Sequence, residues 1–338
     1  MKFSFLKGKN IFISGGTGSF GKKMISFLLK NAELNKIVIY SRDEQKQYKL
    51  KKEYKSKNIR FFIGDVRDRD RLTFAMQGID IVIHAAALKH VDMAEYNPFE
   101  YIKTNVMGAQ NIISSSLHNK VQKVIALSTD KASSPANLYG ASKLLSDKLF
   151  VSANNYKGSQ NIKFSVVRYG NVMGSRGSVI PLFLQQKKEK YFTVTDPEMT
   201  RFNITLQDGV GFVILALNQM LGGEIFIPKL KSYKINDLVK VISPKAKIKY
   251  IGIRPGEKLH EEMISVNDSF NTAEFKNYYV ILPNSEHYSL NLKEFLKKKK
   301  NSKKVVNNFS YNSKTNQDFL KPSEIKKLIS ENILDFES

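Results

Sequence analysis

Lys9-Asn10-Ile11-Phe12-Ile13-Ser14-Gly15-Gly16-Thr17-Gly18-Ser19-Phe20-Gly21 is the stretch that decides the fold. A short apolar run over residues 10–14 ends in glycines at 15, 18 and 21, and helical spacing of apolar side chains follows over 22–29. A strand that passes through such a turn into a helix is the setting in which the glycines hold a dinucleotide. Gly15 lets the chain turn sharply, Gly18 lets backbone N–H groups approach a pyrophosphate, and Gly21 lets the helix pack close to the sheet. Thr17, Ser19 and Phe20 belong to the same cofactor-binding turn, where the helix N-terminus adds positive potential. Outward from this turn the rhythm repeats, with strand patterns at 36–40, 59–63, 79–84, 123–127 and 164–168 and helical patterns at 105–118 and 142–153. Strands alternating with helices imply a parallel sheet covered on both faces. The near-continuous apolar strands agree with that burial.

From about residue 171 the rhythm breaks. The glycines of 170–177 make a loop, 206–220 reads as a long amphipathic helix, 224–227 and 247–251 as short strands, and 235–242 as a helix. The expected class is α/β, a Rossmann-type doubly wound parallel sheet with a smaller α+β substrate-binding domain. Residues 1–170 form the dinucleotide-binding domain, to which the 205–222 helix returns, and 171–204 with 223–296 form the smaller one. Residues 297–338 are a Lys/Asn-rich extension, expected to be extended or partly mobile over 297–317.

The 338 residues carry a net charge of +23 and no cysteine. Without cysteine there are no disulfides, thiolate zinc sites or cysteine nucleophiles. The surplus of Lys, including Lys297–Lys300, reads as compositional bias on solvated surface, so no nucleic-acid partner is expected. The positive field serves at most to attract an anionic diphosphate. The longest apolar runs, 79–88 and 210–217, fall well short of the ~20 residues a membrane span needs. Residues 1–7 lack the apolar region of a signal peptide, which makes a cytoplasmic location the expectation.

The end of the second strand selects the cofactor. An Asp or Glu there suits the ribose of NAD. This chain has Ser41-Arg42, with Lys46 one helical turn beyond, a set suited to the 2′-phosphate of NADP. Asp43 lies just past that position. Asp65-Val66 ends the third strand, where Asp65 either receives the adenine amino group or caps the next turn. Ala86, within Ala85-Ala86-Ala87, leaves room for the cofactor.

Tyr139 and Lys143 stand four apart, on one face of a helix. A lysine ammonium beside a phenol lowers its pKa and makes tyrosinate a usable base. Thr129, Asp130 and Lys131 end the strand before that helix, at the carboxyl edge where ligands of such sheets bind. Lysine works as a base where burial or neighbouring charge lowers its pKa.

On these residues, the chain resembles the extended short-chain dehydrogenase/reductase superfamily, and within it the inverting UDP-N-acetylglucosamine 4,6-dehydratase family. The carrying segments include Tyr40-Ser41-Arg42-Asp43-Glu44, Gly64-Asp65-Val66-Arg67-Asp68, Leu127-Ser128-Thr129-Asp130-Lys131-Ala132, Arg168-Tyr169-Gly170-Asn171-Val172 and Ser175-Arg176-Gly177-Ser178-Val179. Met199-Thr200-Arg201-Phe202 and Arg254-Pro255-Gly256-Glu257-Lys258-Leu259-His260-Glu261 complete them. The likeness runs from about residue 9 to about 318, with Ser14 in place of a usual Thr and a variant loop at Ser133-Ser134-Pro135-Ala136.

The resemblance implies a hydro-lyase with internal redox. Tyr139 takes the proton of the sugar 4-hydroxyl, NADP is reduced at C4 and reoxidised at C6, and Lys131 and Asp130 serve as base and acid for water loss. Retaining relatives carry Asp-Glu where this chain has Asp130-Lys131, and the resemblance assigns inversion at C5 to the Asp-Lys pair. It also implies substrate contacts for Lys89, Asn171, Val179, Thr195, Arg201 and Arg254, with Glu257 at the uridine ribose. Arginine suits phosphate through its bidentate fork, although a plain ion pair is a serious rival reading for Arg201. The implied setting is pseudaminic acid synthesis for surface glycan or flagellin, by a dimer-based homo-oligomer that reaches hexamers. No metal site and no catalytic histidine are expected. The alternatives are a retaining dehydratase, a UDP-sugar 4-epimerase, and a non-enzymatic dinucleotide-sensing or nucleic-acid-binding protein.

Overall fold

Parallel pairing organises the chain, whose residues 3–174, 179–283 and 290–332 are described by a computed structural model. β1 (Asn10–Ser14), β2 (Lys36–Ser41), β3 (Ile59–Ile63), β4 (Ile81–His84), β5 (Lys123–Thr129) and β6 (Lys163–Tyr169) lie in the order β3-β2-β1-β4-β5-β6. All five pairings among them are parallel. The chain runs outward from β1 to β3 and then crosses back to β4. That reversal leaves a crevice at the carboxyl ends of β1 and β4, where no crossover covers the sheet.

Both faces are apolar because both are packed. Ile11, Ile13, Ile37 and Ile39 join one core with Met24, Ile25 and Leu28 of the helix Ser19–Asn31 and Val210, Val213 and Leu217 of the helix Leu206–Gln219. Phe12, Val38 and Tyr40 join a second core with Ile112 and Ile113 of the helix Gly108–His118 and Phe150 of the helix Leu138–Ser152. The alternation within Ile11-Phe12-Ile13 is thus a division between two cores rather than between core and solvent.

Before the tail, the remaining strands are β7 (Asn171–Val172), β8 (Phe192–Val194), β9 (Thr200–Ile204), β10 (Ile225–Pro228), β11 (Lys231–Lys234), β12 (Ile248–Tyr250) and β13 (Glu262–Ile264), followed by β14 (Thr272–Glu274) and β15 (Tyr278–Ile281). A third core lies under part of them, chiefly β8 and β11, with the helices Val179–Gln186, Ile235–Ile242 and Pro322–Asn332. Phe183, Phe192, Met199, Leu238 and Val239 fill this core. β11, β9 and β7 make one small sheet, and β12 with β8 another.

The expected division of the chain needs correction at two points. Within 223–296, β10 does not stay in the smaller region: it pairs parallel with β6, and β15 and β14 follow antiparallel, with the strand 303–304 of the tail making the tenth of the large sheet. Ile225, Phe226 and Ile227 are all buried, as an interior strand requires. The second point is the Lys/Asn-rich tail, which folds rather than trailing. Leu292–Lys298 is a helix, β16 (Lys303–Lys304) edges the large sheet, β17 (Tyr311–Asn312) pairs with β13, and Pro322–Asn332 is a helix. Its lysines are mostly exposed while Phe295, Val305, Tyr311, Leu320, Ile325 and Ile329 are buried. Averaged composition conceals that apolar series. Ser175–Ser178 of the glycine loop lie outside the described residues.

Tyr311 fastens the tail. Its hydroxyl accepts from the Leu230 amide at 2.6 Å and donates to the Leu230 carbonyl at 3.0 Å, and its ring packs on Phe202 and Tyr279. Tyr311→Phe keeps the ring contacts and leaves the Leu230 amide unpaired, while the Leu230 carbonyl keeps the Asn316 side-chain amide at 2.8 Å, so it should cost about 1–3 kcal/mol. Urea unfolding would register this as a lower midpoint at unchanged slope.

Candidate active site

The glycine turn meets the steric demand placed on it. Gly15 has φ +67°, and a Cβ there would sit 2.8 Å from the Ala86 amide nitrogen. A Cβ at Gly21 would fall 2.5 Å from Gly16, so the helix approaches the strand only without one. Two cavities adjoin this turn. One, of about 590 Å³, is lined by Gly15, Thr17, Gly18, Ser41, Arg42, Lys46, Asp65, Val66 and Ala86. The other, of about 500 Å³, is lined by Ser19, Phe20 and Gly21 and by Thr129, Asp130, Lys131, Tyr139 and Lys143. All the residues expected at the cofactor line one or the other.

At the end of β2 the charges are already paired. Arg42 lies 3.7 Å from Asp65, whose carboxylate also accepts from Arg67 at 2.7 Å. The Asp65 carboxyl remains below its usual range, since Arg67 outweighs the effect of burial. Asp65 accepts from the Arg67 amide but does not cap the following helix; Asp68 does. Asp43 caps the helix Glu44–Glu53 and takes the Lys46 ammonium, so Lys46 faces Asp43 rather than open solvent. Arg42, more than half exposed, is the freer cation of the two.

Thr129 is the last residue of β5, and Asp130 and Lys131 form one tight turn beyond it. The Thr129 hydroxyl donates to Asp130 at 2.9 Å. The Lys131 ammonium lies 3.1 Å from Asp130 and 3.0 Å from Glu261. Glu261 in turn lies 3.6 Å from Arg201. The charges alternate along this buried row, which is what makes their burial tolerable. Burial and the neighbouring Glu261 push the Asp130 carboxyl up. Its Oδ2 is buried with no hydrogen-bond partner among the described residues.

Lys131 departs from expectation. Burial alone would lower its pKa, but Asp130 and Glu261 more than reverse this and hold it above its ordinary value. It is an ammonium here, not a free amine. Tyr139 departs as well. Burial pushes its phenol up to about 12, and the largest influences drawing it back are Lys131 and a hydrogen bond with Thr129. Lys143 is itself lowered by burial, against the pull of Asp147. Its charge acts on His84, which burial and Lys143 together push down to about 3.

A third cavity, of about 550 Å³, is lined by Lys89, Asn171, Val179, Thr195, Arg201, Arg254 and Glu257, and Lys131 lines it too. The seven expected substrate residues therefore converge. Their roles divide on inspection. Arg201 is nearly buried, bonded to the Thr200 and Leu259 carbonyls and near Glu257 and Glu261, so it is a structural cation as much as a contact. Arg254 is half exposed and pairs with Glu257 at 3.2 Å, while Thr195 donates to Glu257. Asn171 Oδ1 is buried without a partner among the described residues.

Sequence reading gave Glu261 no role, since its contact with Lys131 joins distant parts of the chain. It also missed the network behind Lys143, in which Asp147 accepts from Ser128 at 2.8 Å and from Arg168 at 3.2 Å. Among the described residues there is no cluster able to hold a metal ion and no helix long and apolar enough to cross a membrane.

The model of a family described as polysaccharide biosynthesis protein matches residues 11–283. A Campylobacter jejuni protein named UDP-N-acetylglucosamine 4,6-dehydratase (inverting) is 53% identical, over 96% of this chain and 98% of its own. A Rickettsia bellii protein named UDP-glucose 4-epimerase is 44% identical, over 81% and 82%. The crystal structure of Pen from Bacillus thuringiensis superimposes with a TM-score of 0.86 at 40% identity, covering 97% of this chain and 98% of that one.

Gly140, one residue past Tyr139, packs directly on the carbonyl of Lys131, leaving no room for a Cβ. Gly140→Ala should therefore displace the Asp130–Lys131 turn and lower turnover by about tenfold or more, because a small misplacement of reacting groups costs rate steeply. Circular dichroism should show the fold retained; unaltered kcat would mean that the turn yields without consequence.

Proposed function

The chain belongs to the polysaccharide biosynthesis protein family, and from that premise we propose that it dehydrates UDP-N-acetylglucosamine at C4–C6 with inversion at C5. The observation that carries the reading is the meeting of Asp130, Lys131 and Tyr139 in one cavity, with Lys131 reaching the next. An epimerase has no water to remove, and an acid–base pair beside the tyrosine would be idle in it. The 53% relative carries the matching name.

The dinucleotide is held by the glycine turn, Ser41 and Arg42, with Asp65 and Val66 beyond them; we assign it as NADP from Arg42. It supplies oxidation at C4 and reduction at C6 of the same sugar, with no net consumption. The protein's part is proton handling. Tyr139 accepts the proton of the 4-hydroxyl, aided by the charge of Lys131 and the hydrogen bond of Thr129. Once a 4-ketone exists, the C5 proton is acidic. Lys131 passes a proton to Asp130 across their 3.1 Å contact, leaving an amine and a carboxylic acid. The amine takes the C5 proton, and Asp130 protonates the departing 6-hydroxyl. Reduction at C6 leaves an enolate whose C5 takes, on the face opposite Lys131, the proton that Tyr139 held, so Tyr139 returns to tyrosinate while Lys131 ends as ammonium and Asp130 as carboxylate. The unpartnered Oδ2 and the raised pKa of Asp130 suit it to the acid's part.

The product enters bacterial surface glycan synthesis, with pseudaminic acid as the end point, in the cytoplasm where UDP-sugars are made. A homo-oligomer is part of the reading. Met93, Tyr96, Phe99, Met107 and Leu145 are exposed on neighbouring helices, and an apolar patch of this kind marks an interface.

Incubation with UDP-N-acetylglucosamine without added cofactor tests the whole reading. Proton NMR should show the β-L-arabino 4-keto-6-deoxy sugar; the D-xylo product, or a C4 epimer that keeps its 6-hydroxyl, would sink it. Native mass spectrometry of the same sample should show an oligomer carrying NADP. Arg42→Ala should weaken NADP about tenfold more than NAD in calorimetric titration. Equal weakening would remove Arg42 from the 2′-phosphate.

A further inference from the structure

Glu261 stands immediately before β13 and is 2% exposed. Its Oε1 faces Lys131 at 3.0 Å and Arg201 at 3.6 Å, while its Oε2 is buried with no partner among the described residues. Its main chain is clamped from both sides: the Glu261 amide donates to the Ser313 hydroxyl at 2.9 Å, and the Ser313 amide donates to the Glu261 carbonyl at 2.8 Å. The same hydroxyl bonds Thr200, which bonds His260. A buried carboxylate fixed this firmly is placed for the side chain it faces.

We propose that Glu261 is a positioning residue of the reaction, a second carboxylate that aims Lys131 and keeps it protonated between turnovers. The inference rests on the reading that Lys131 exchanges a proton with substrate. With Asp130 alone, Lys131 would have one fixed neighbour and freedom to swing; with Glu261 opposite, its Nζ is held between two acceptors. The held charge then serves Tyr139 in the oxidation step, before Asp130 takes the proton for the elimination. Glu261 is itself kept ionised: burial opposes this, but Lys131 and Arg201 prevail, with Lys258 adding to them.

The other groups around the pair are accounted for. Asp130 lies on the turn of Lys131, Arg201 comes from β9, Tyr139 from the helix Leu138–Ser152, and Tyr233 from β11. Lys258 lies in the loop before Glu261, with Glu262 beside it. Of these, Asp130 and Glu261 raise the proton affinity of Lys131, while Arg201 lowers it.

The sign of the effect follows. Glu261→Gln is isosteric and removes one negative charge, so Lys131 should lose its proton at lower pH. The pair must keep one proton to supply both amine and acid, so in the pH profile of kcat the limb that falls as Lys131 deprotonates should move to lower pH by about one unit or more. The KM for UDP-N-acetylglucosamine should stay within about twofold while plateau kcat falls about tenfold. Glu261→Asp keeps the charge and should leave the limb near its wild-type position, which separates charge from packing should Glu261→Gln prove unstable. A profile unmoved in Glu261→Gln, or a change confined to KM and melting temperature, overturns the inference. A shift of the rising limb instead supports Glu261 but makes Lys131 a base that must first lose its proton to solvent, so the two readings fail separately.

Discussion

A parallel sheet is open to ligands only at its strand ends, because its connections cover its faces. That constraint underlies everything else in this molecule. The two cores lie on opposite faces of β1 and β2, and the helices that bury them reach the site only at their N-terminal turns, with Ser19, Tyr139 and Lys143. What remains is the carboxyl edge, and the chain places its chemistry there: the glycines after β1, Arg42 after β2, Asp65 after β3, the alanines after β4, and Asp130 and Lys131 after β5. Each follows closely on a strand of the sheet, and all but the edge strand β3 are paired on both sides, so these groups inherit the rigidity of the sheet.

The second organising fact is electrostatic. Asp130, Lys131, Glu261 and Arg201 form a buried row of alternating charge, drawn from β5's turn, the segment before β13, and β9. Isolated burial of any one would be prohibitive, whereas in alternation each offsets its neighbour's desolvation. A row of this kind shares its protons, so the acid–base character of one member is a property of the set. This is why Lys131, read by itself, invites the wrong expectation: a lysine in a cavity suggests a lowered pKa, and two carboxylates reverse it.

The legible parts of the structure were local ones. The strands of the first half are short apolar runs bounded by turn residues, and the glycine turn is read within a dozen positions of sequence. The positions of Asp130, Lys131, Tyr139 and Lys143 were legible for the same reason, since each follows a strand end or starts a helix. What was not legible depended on contacts between distant segments. The 225–228 strand carries no sign of which sheet it joins, and Tyr139 carries no sign that the largest influence lowering its pKa is Lys131. The tail misled through averaging: its lysines outnumber its apolar residues, yet Tyr311, Ile325 and Ile329 suffice to dock it.

The clamp between Ser313 and Glu261 ties the timing of synthesis to the onset of chemistry. Residues 10–169 supply the large parallel sheet and leave the ribosome first. The carboxylate opposite Lys131 is secured only when the segment around Ser313 has emerged and docked. A nascent chain would therefore hold the cleft at the glycine turn before its row of alternating charge is in place, and a nick anywhere between 283 and 313 would separate the two while sparing the sheet's parallel half.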